Sequence, residues 1–479
     1  MKRLIYIITI VATTLYSTLS LAQEHTVLML DELPQSHSLN PAKAPVGGGY
    51  LTMPGLGGIS VGFENTGFCL DDMYEQGADD SLRLNIDRLA ERMSSYNLTA
   101  LNLDVPVLST GFTVGKNFFS IDISNKTRFD LVFPSSVLDI RYGNYDYANE
   151  RPMTMSFSDI YLRSYNYFEY AFGYSRQIGD RLRIGGRFKL LAGNFSLYAE
   201  DMSLTVDTKK DKSAYSLEIS TQRDFKVAAP LEVSNDKEGY VEEVEFDDDN
   251  ISINPMSNSG VAFDLGATLK VNDQITLGLS VLDMGFISGK ENTHAFVSDK
   301  SFTFSGVDIS GVVKDEPGNK IDDTYWEQIE DSLTQLTYVK HQSGNFKTTL
   351  SAQVMANVAY RPFKWLQAGG VVSGKIINKR LYARVSANAT LRARNWLAFI
   401  MSVSADSGNA ISVGEGLVLT APGFQFYVVA DRIPMSLRYS RSGQIRFGFN
   451  FPIGRRKALK NMEGAVADMI ATESNAPTM

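Results

Sequence analysis

Hydrophobic and polar residues alternate along most of this chain with a period of two, the pattern of a β-strand whose two faces have different surroundings. From Arg380 to Ala393 the alternation is unbroken, well beyond the roughly five or six residues of an ordinary globular strand. A tilted strand that crosses a membrane needs about 9–11 residues, so this length indicates a membrane-spanning strand. The pattern recurs in segments 119–124, 168–175, 181–190, 275–281 and 444–451.

Very short connections join the alternating segments in pairs. The candidates are Gly179-Asp180, Asn272-Asp273, 361–364 and Arg394-Asn395. Trp365 and Trp396 follow two of them directly, where a belt of aromatic residues would mark a membrane interface. A soluble β-sandwich would have shorter strands and more frequent turns. The pattern therefore favours an all-β fold, a transmembrane antiparallel β-barrel with its aromatic-rich faces toward lipid.

The alternating region extends from about Tyr50 to Phe451 and contains between 14 and 18 segments. We assign the barrel to residues 48–451. Longer connections interrupt it, and two of them have the apolar spacing of short helical insertions, 81–93 and 321–338. These longer connections are expected to face the side of the membrane opposite the short turns.

Both ends of the chain have a character different from the barrel. Residues 1–22 read as a signal peptide, with Lys2 and Arg3 before an apolar stretch and a cleavage site at Ser20-Leu21-Ala22. Residues 23–47 then form an N-terminal periplasmic or lumenal segment. Residues 452–479 form a C-terminal tail, which we expect to project into the periplasm. Export and a barrel together predict the outer membrane of a Gram-negative bacterium.

Composition narrows the function classes. The mean hydropathy of -0.12 suits a barrel whose strands spend half of their residues on a polar lumen. Cys69 is the single cysteine, so no intramolecular disulfide can form. A net charge of -8 without a dominant basic patch argues against nucleic acid as a partner. The acidic stretch 236–249 lacks the ordered ligand spacing of a calcium loop and is interpreted as a solvated external loop.

Catalytic and metal-binding motifs are weak. Gly58-Ile59-Ser60-Val61-Gly62 matches a nucleophile elbow, but no helix follows it, as that motif requires. The four histidines, His25, His37, His294 and His341, show no spacing typical of metal ligands. We therefore expect no enzyme activity, no catalytic residues, no metal site and no cofactor.

Charged side chains on the polar faces are the better functional candidates. If their apolar neighbours face lipid, five arginines point into the lumen, and Asp122 and Glu169 point inward from other strands. They can form salt bridges that fill the barrel. Alternatively, they form a basic patch that receives a fatty-acid carboxylate or a lipid phosphate. The candidate ligand-binding residues are Arg181, Arg183, Arg187, Arg384 and Arg392.

Three motifs carry a family resemblance. Asn40-Pro41-Ala42 resembles the Asn-Pro-Ala signature of the FadL-like outer-membrane fatty-acid transporters. Segments 53–60 and 421–427 extend the match, so the chain resembles a Bacteroidetes outer-membrane β-barrel family of unknown function, related to those transporters and to the type IX secretion shuttle barrels. The resemblance implies about 14 strands, with the N-terminal segment tucked into or under the lumen.

Two functions follow. The first is passive transport or binding of a hydrophobic or amphipathic solute, such as a fatty acid, by a FadL-like barrel surrounded by outer-membrane lipid. The alternative is a protein-interaction barrel, secretion-shuttle-like or envelope-structural, whose partner is an envelope or secretion-system protein. The extended tail and the polar lumen both depart from a fatty-acid tunnel.

Overall fold

A computed structural model gives the fold of most of the region assigned to the barrel. It describes residues 25–45, 47–76, 81–146, 149–211, 214–247, 258–304, 338–393, 396–406, 411–433 and 441–454. The predicted signal peptide, nearly all of the helix predicted at 321–338 and the tail from residue 455 onward lie outside this range.

Helices are few and short in the described residues. None of them is long and apolar enough to cross a membrane. The helix predicted within 81–93 is present, but it begins only after a short strand. The helices are α1 (His25–Leu28), α2 (Ser36–Leu39), α3 (Leu70–Met73) and α4 (Ile86–Arg92), with a 3-10 helix at Ser135–Tyr142.

Strands make up most of the described chain, and many are longer than ordinary globular strands. Their bounds are β1 (Gly49–Thr52), β2 (Ile59–Asn65), β3 (Tyr74–Gln76), β4 (Leu82–Leu84), β5 (Tyr96–Val114), β6 (Asn117–Pro134), β7 (Tyr145–Asp146), β8 (Arg151–Pro152), β9 (Thr154–Ile178), β10 (Leu182–Asp211), β11 (Ala214–Ala228), β12 (Leu231–Asn235), β13 (Val241–Phe246), β14 (Asn258–Lys270), β15 (Ile275–Gly289), β16 (Thr293–Phe304), β17 (Lys340–Ser343), β18 (Phe346–Thr349), β19 (Gln353–Phe363), β20 (Leu366–Ile377), β21 (Arg380–Ala393), β22 (Leu397–Asp406), β23 (Ile411–Ala421), β24 (Phe424–Ile433) and β25 (Ser442–Ile453).

One antiparallel sheet closes on itself to form the barrel. The first two segments, β1 and β2, each pair with β5 on one side and with the last strand, β25, on the other. The sheet contains 19 segments, and when β1 is merged with β2, and β17 and β18 with β19, these become 16 strands. The expected number of about 14 strands, taken from the family resemblance, is therefore wrong.

The two additional strands enter where β10 changes partner. Along one edge β10 pairs with β9 over nearly its whole length. Along its other edge the first part of β10, up to Gly193, pairs with β14, whereas the part from Ser196 onward pairs with β11. Strand β16 then pairs with β11. We call this change of partner the fork.

The two faces of the barrel wall differ as the alternation predicts. On β21, Leu381, Val385 and Leu391 lie on the exposed outer face, whereas Arg384 is buried on the inner face. The same exposed apolar surface continues around neighbouring strands, for example at Leu279 on β15. Since water does not favour a continuous apolar exterior, this surface matches that of a lipid-facing barrel.

The largest apolar core lies inside the barrel. Residues 25–45, which we call the plug, enter the lumen and pack against the inner faces of β15, β19, β20 and β22 through β24. The cluster consists of Val27, Leu28, Met29, Leu30 and Leu33 of the plug with Leu282, Met355, Val371, Ala398, Ile400, Val418, Tyr427 and Val429 of the wall. The N-terminal segment is thus a lumenal element, as the sequence allowed.

A charge placed on the outer face tests whether this face lies in lipid. Leu279 is 54% exposed on the outer face. Leu279→Arg should lower the free energy of unfolding by about 2–4 kcal/mol, because the cation would lie in hydrocarbon. The control is Val244 on β13, which is 46% exposed. Val244→Arg should change the free energy of unfolding by no more than about 0.5 kcal/mol. Guanidinium unfolding from lipid vesicles measures both, and equal costs would contradict a lipid-facing wall.

Candidate lumenal site

The plug is held in the lumen by hydrogen bonds to strands distant in sequence. The His25 ring nitrogens lie 2.9 Å from Ser386 Oγ and 2.6 Å from Ser373 Oγ. The backbone N–H of Thr26 donates to the Asp431 carboxylate over 2.7 Å. These buried polar contacts satisfy groups that would otherwise be costly to bury, so they fix the position of the plug.

Ion pairs attach the plug near the short-turn end of the barrel. Asp31 accepts from Arg361 of the wall at 2.7 Å and from Lys43, within the plug, at 2.8 Å, and Glu32 is paired with Arg392 of the wall. Burial raises the pKa of Asp31, but Lys43 and Arg361 outweigh burial and hold that pKa well below its usual range. The Asp31 carboxylate therefore stays ionised at any physiological pH.

The Asn40-Pro41-Ala42 motif seats against two glycines of the wall. A Cβ atom on Gly185 would lie 2.3 Å from the Pro41 carbonyl oxygen, and one on Gly266 would lie 2.3 Å from Asn40 Oδ1. The Asn40 amide donates to backbone carbonyls of β14 and β15 at 3.2 and 3.3 Å, and its oxygen accepts from the Ala42 N–H at 2.9 Å. The motif thus attaches the plug to the wall.

Arg187 is the centre of a buried charge network on the opposite side of the lumen from the apolar cluster. Its guanidinium lies 3.0 Å from Asp122, 3.1 Å from Asp264 and 3.6 Å from Glu169. Asp122 also contacts the plug, since its carboxylate is 3.0 Å from Nε2 of His37. The network therefore connects the wall to the plug.

Two lysines extend the network. Lys189 lies 2.8 Å from Asp264 and 2.6 Å from Asp283, and Lys126 lies 2.8 Å from Glu169. Asp264 and Glu169 are almost completely buried, as is Lys189. Because an unpaired buried charge is very unfavourable, the cations and carboxylates of the network stabilise one another by pairing.

A polar cavity of about 120 Å³ lies between the plug and the wall, and we call it the lumenal cavity. Ser38 and Leu39 of the plug line it, together with the stacked rings of Tyr165 and Tyr167, whose centroids are 5.8 Å apart. Its charged lining comprises five cations and three carboxylates: Lys126, Arg128, Lys189, Lys375 and Arg446 with Glu64, Asp104 and Asp283.

The structure does not bring the five candidate arginines together. Arg187 is neutralised in the network, Arg392 is paired with Glu32, and Arg384 lies 3.6 Å from Glu64. Strands β14, β15, β19 and β20 separate β10, which carries Arg187, from β21, which carries Arg384 and Arg392. These three contacts agree with the salt-bridge interpretation of the lumenal charges.

The other two candidate arginines lie nearer the short-turn end. Arg183 is half-buried and donates to Ser175 Oγ over 3.1 Å and to Gln177. Arg181 is exposed at the turn that precedes β10. Neither residue lines the lumenal cavity.

Sequence reasoning placed Arg187, Asp122 and Glu169 in the lumen but missed other members of the network. Asp264 and Asp283 are inward-facing acids within apolar strands, a signal that the alternation contains but that was not used. Lys126 was missed although it follows an alternating segment. His37 could not be placed, since nothing local indicates that its partner is Asp122, 85 residues away.

The remaining sequence candidates have ordinary surroundings. Ser60 lies on β2, and its Oγ accepts from Gln444 at 2.9 Å. His294 and His341, separate in sequence, face each other across β16 and β17 with ring nitrogens 3.0 Å apart, a pair that spacing did not reveal. Within the described ranges, no group of three or more His, Cys, Asp or Glu side chains could hold a metal ion. The acidic stretch forms the turn at 236–240 and then β13, Val241–Phe246, whose residues are mostly exposed, so part of the expected loop is a strand.

The comparisons with known proteins identify a family. The model of a family of unknown function, DUF5723, matches residues 41–431, and the chain belongs to that family. No curated protein matches it. Among solved structures, the Ralstonia pickettii toluene transporter TbuX is 9% identical to this chain, with a TM-score of 0.41. The match covers 88% of this chain and 94% of TbuX.

Two further solved structures show the same low level of similarity. The Pseudomonas putida toluene transporter TodX is 10% identical with a TM-score of 0.37, and the coverage is 86% of this chain and 90% of TodX. A Pseudomonas aeruginosa FadL homologue is 10% identical with a TM-score of 0.36, and the coverage is 87% and 91%. Similarity at this level says nothing about what this chain binds.

Removing one carboxylate from the network tests its contribution to stability. Asp122→Asn should lower the free energy of unfolding by about 3 kcal/mol, the lower end of the cost of breaking a buried ion pair. Asp207→Asn is the control, because Asp207 lies near the end of β10 and its carboxylate is 3.9 Å from the exposed Lys209. This variant should lower the free energy of unfolding by less than about 1 kcal/mol. Unfolding in detergent or lipid measures both, and similar costs would show that the network does not hold the barrel together.

The ionised state of Asp31 predicts how the plug responds to acid. The pKa of Asp31 is lower in the folded state than in the unfolded state, so its ionised carboxylate stabilises the fold. This contribution is fully present above the unfolded pKa of about 3.9 and is lost only as the pH falls through the lower, folded-state pKa. Asp31→Asn should therefore speed amide exchange in residues 27–33 at neutral pH. The difference from the unchanged chain should shrink only well below pH 4, and a difference that disappears near pH 6 would contradict the assignment.

Proposed function

We propose that this chain is an outer-membrane β-barrel of FadL-like architecture that binds a small amphipathic anion in the lumenal cavity. The closed ladder and the apolar outer face support a membrane location, because both satisfy the requirements of a lipid environment. The predicted signal peptide supports export.

The weak pairing of one cation in the lumenal cavity carries the proposal. Five cations and three carboxylates line the cavity, but Lys126 and Lys189 are also paired with Glu169 and Asp264 outside this lining. Lys375 is the most weakly paired of these cations whose contacts are given, since its Nζ lies 3.8 Å from Asp130. Tyr165, Tyr167 and Leu350 supply an apolar side for the body of a ligand. A carboxylate or phosphate on a short apolar body has matching chemistry.

Size limits the ligand and implies that the plug moves. A cavity of about 120 Å³ is below the roughly 300–1,000 Å³ of ordinary ligand pockets. A long-chain fatty acid therefore does not fit unless the plug, which forms part of the cavity lining through Ser38 and Leu39, is displaced. We infer that binding takes place with the plug seated and that passive transport requires its release.

A pair of matched probes tests the binding site. Octanoate and octanol share an apolar body but differ in charge, so the purified barrel should bind octanoate more tightly by calorimetry. Lys375→Gln should weaken octanoate binding roughly tenfold, the effect of losing one charge-assisted hydrogen bond, and should leave octanol unchanged. Lys364→Gln, which changes an exposed lysine in the turn after β19, is the control. Equal octanoate binding by both variants, or none by the unchanged chain, would overturn the proposal.

A second function is favoured by a separate observation. The β3–β4 hairpin exposes Leu82 and Leu84, at 69% and 53%, and β13 exposes Phe246. Apolar side chains exposed outside the barrel wall, together with a plugged lumen, fit a protein-interaction barrel, envelope-structural or related to the secretion shuttles of Bacteroidetes. Leu82→Ser with Leu84→Ser should then abolish cross-linking to a defined envelope protein and leave octanoate binding intact. Retained cross-linking would exclude the hairpin as the interface.

A further inference from the structure

A groove on the outside of the barrel lies beside the fork. Its volume is about 470 Å³, larger than either lumenal pocket next to the plug. Strands β9, β10, β14, β15 and β18 contribute to it, with the turn after β15. We call it the outer groove, and its lining is Tyr170, Leu190, Leu191, Ala192, Ser259, Gly260, Val261, Phe286, Ser288, Lys290 and Lys347.

Small residues give the groove its depth. Ala192 and Ser259 are register partners and lie in the row next to the larger Leu190, Val261 and Phe286. A Cβ atom on Gly260 would come within 2.1 Å of the Phe286 carbonyl oxygen, so no larger residue fits there without moving the wall. The groove is therefore built into the backbone arrangement at the fork, where the β10–β14 pairing ends.

The groove opens to the outside of the barrel. Tyr170 is two residues before Phe172, which is exposed on the outer face, and Val261 is two residues before Phe263, which is also exposed. Residues two apart on a strand share a face, so Tyr170 and Val261 face outward as well. A ligand in this groove would contact the apolar surface surrounding the barrel, and the lumen would remain separate.

Two lysines lie at one end of the apolar lining. Lys347 and Lys290 are both exposed, and both line the groove. The ammonium of Lys347 lies 4.8 Å from the centroid of the Phe286 ring, which keeps it over the groove. Glu291 follows Lys290 in the turn but does not line the groove. The lining thus combines an apolar floor with two positive charges and no carboxylate.

We propose that the outer groove binds one anionic lipid, with an acyl chain along Leu190, Val261 and Phe286 and the phosphate between Lys290 and Lys347. The charge of the lining selects the occupant, since apolar surface alone would accept any lipid, whereas two cations at one end favour a phosphate. The inference rests on the proposed outer-membrane location. A phospholipid and a lipid A share this chemistry, so the experiment compares both sources.

Native mass spectrometry of the full chain tests the site. The barrel is first inserted into vesicles of phosphatidylcholine with phosphatidylglycerol, or with lipid A, and is then released in mild detergent. The unchanged chain should retain one anionic lipid. The double variant Lys290→Gln with Lys347→Gln should lower retention of the anionic lipid, relative to phosphatidylcholine, by a factor of about ten or more. Each lysine contributes about a fivefold preference for the anionic lipid. Lys270→Gln with Lys364→Gln removes two exposed lysines at the opposite end of the barrel and is the control.

A second variant separates the acyl chain from the phosphate. Ser259→Phe fills the groove but keeps both lysines, so it should also lose the lipid. The proposal is supported if the unchanged chain retains phosphatidylglycerol, lipid A or both, and if the two groove variants lose that lipid. The lipid that is retained identifies the source. Retention equal to that of phosphatidylcholine, or unaffected by the variants, overturns it. Failure to insert into vesicles, read from protease protection beforehand, would instead refute the membrane location itself.

Discussion

Charge pairing inside a closed wall is the constraint on which this structure depends. A barrel strand must direct every second side chain inward, and an inward cation without a partner would be buried at prohibitive cost. Arg187 meets the constraint with carboxylates from β6, β9 and β14 at once. Each strand therefore supplies charges that become stable only when its neighbours are in register, and the network specifies the strand order as well as filling the space.

The plug belongs to the same arrangement. It supplies apolar side chains to one half of the lumen and, through His37, a contact to Asp122 in the other half. Its Asn40-Pro41 step fits the wall because Gly185 and Gly266 leave room for it. Opening a path through the barrel would thus disturb the apolar core and the charge network together. A solute that passes through must compensate for both, and this couples any transport to binding.

Sequence reasoning succeeded where structure is local and failed where it is not. The alternation on β21 correctly placed Arg384 inside and Leu381 outside, because side-chain period is a property of the strand alone. It could not find the partners of Arg187, which come from three other strands, nor the contact of His25 with Ser386, 361 residues away. The expected number of about 14 strands came from the family resemblance, which does not include the two strands that enter where β10 exchanges one partner for another; the alternation itself allowed 14 to 18.

The plug precedes every strand of the barrel in the sequence, and this order has a consequence for assembly. Thr26 binds Asp431 on β24, and Gln35 binds Asn450 on β25, the strand that closes the barrel. The plug therefore finds its place only after the last strands of the barrel are in position. Until that moment an apolar segment, Val27 to Leu33, has no surface to cover it. That segment therefore needs to be shielded until the barrel closes, and seating the plug becomes the final step of folding.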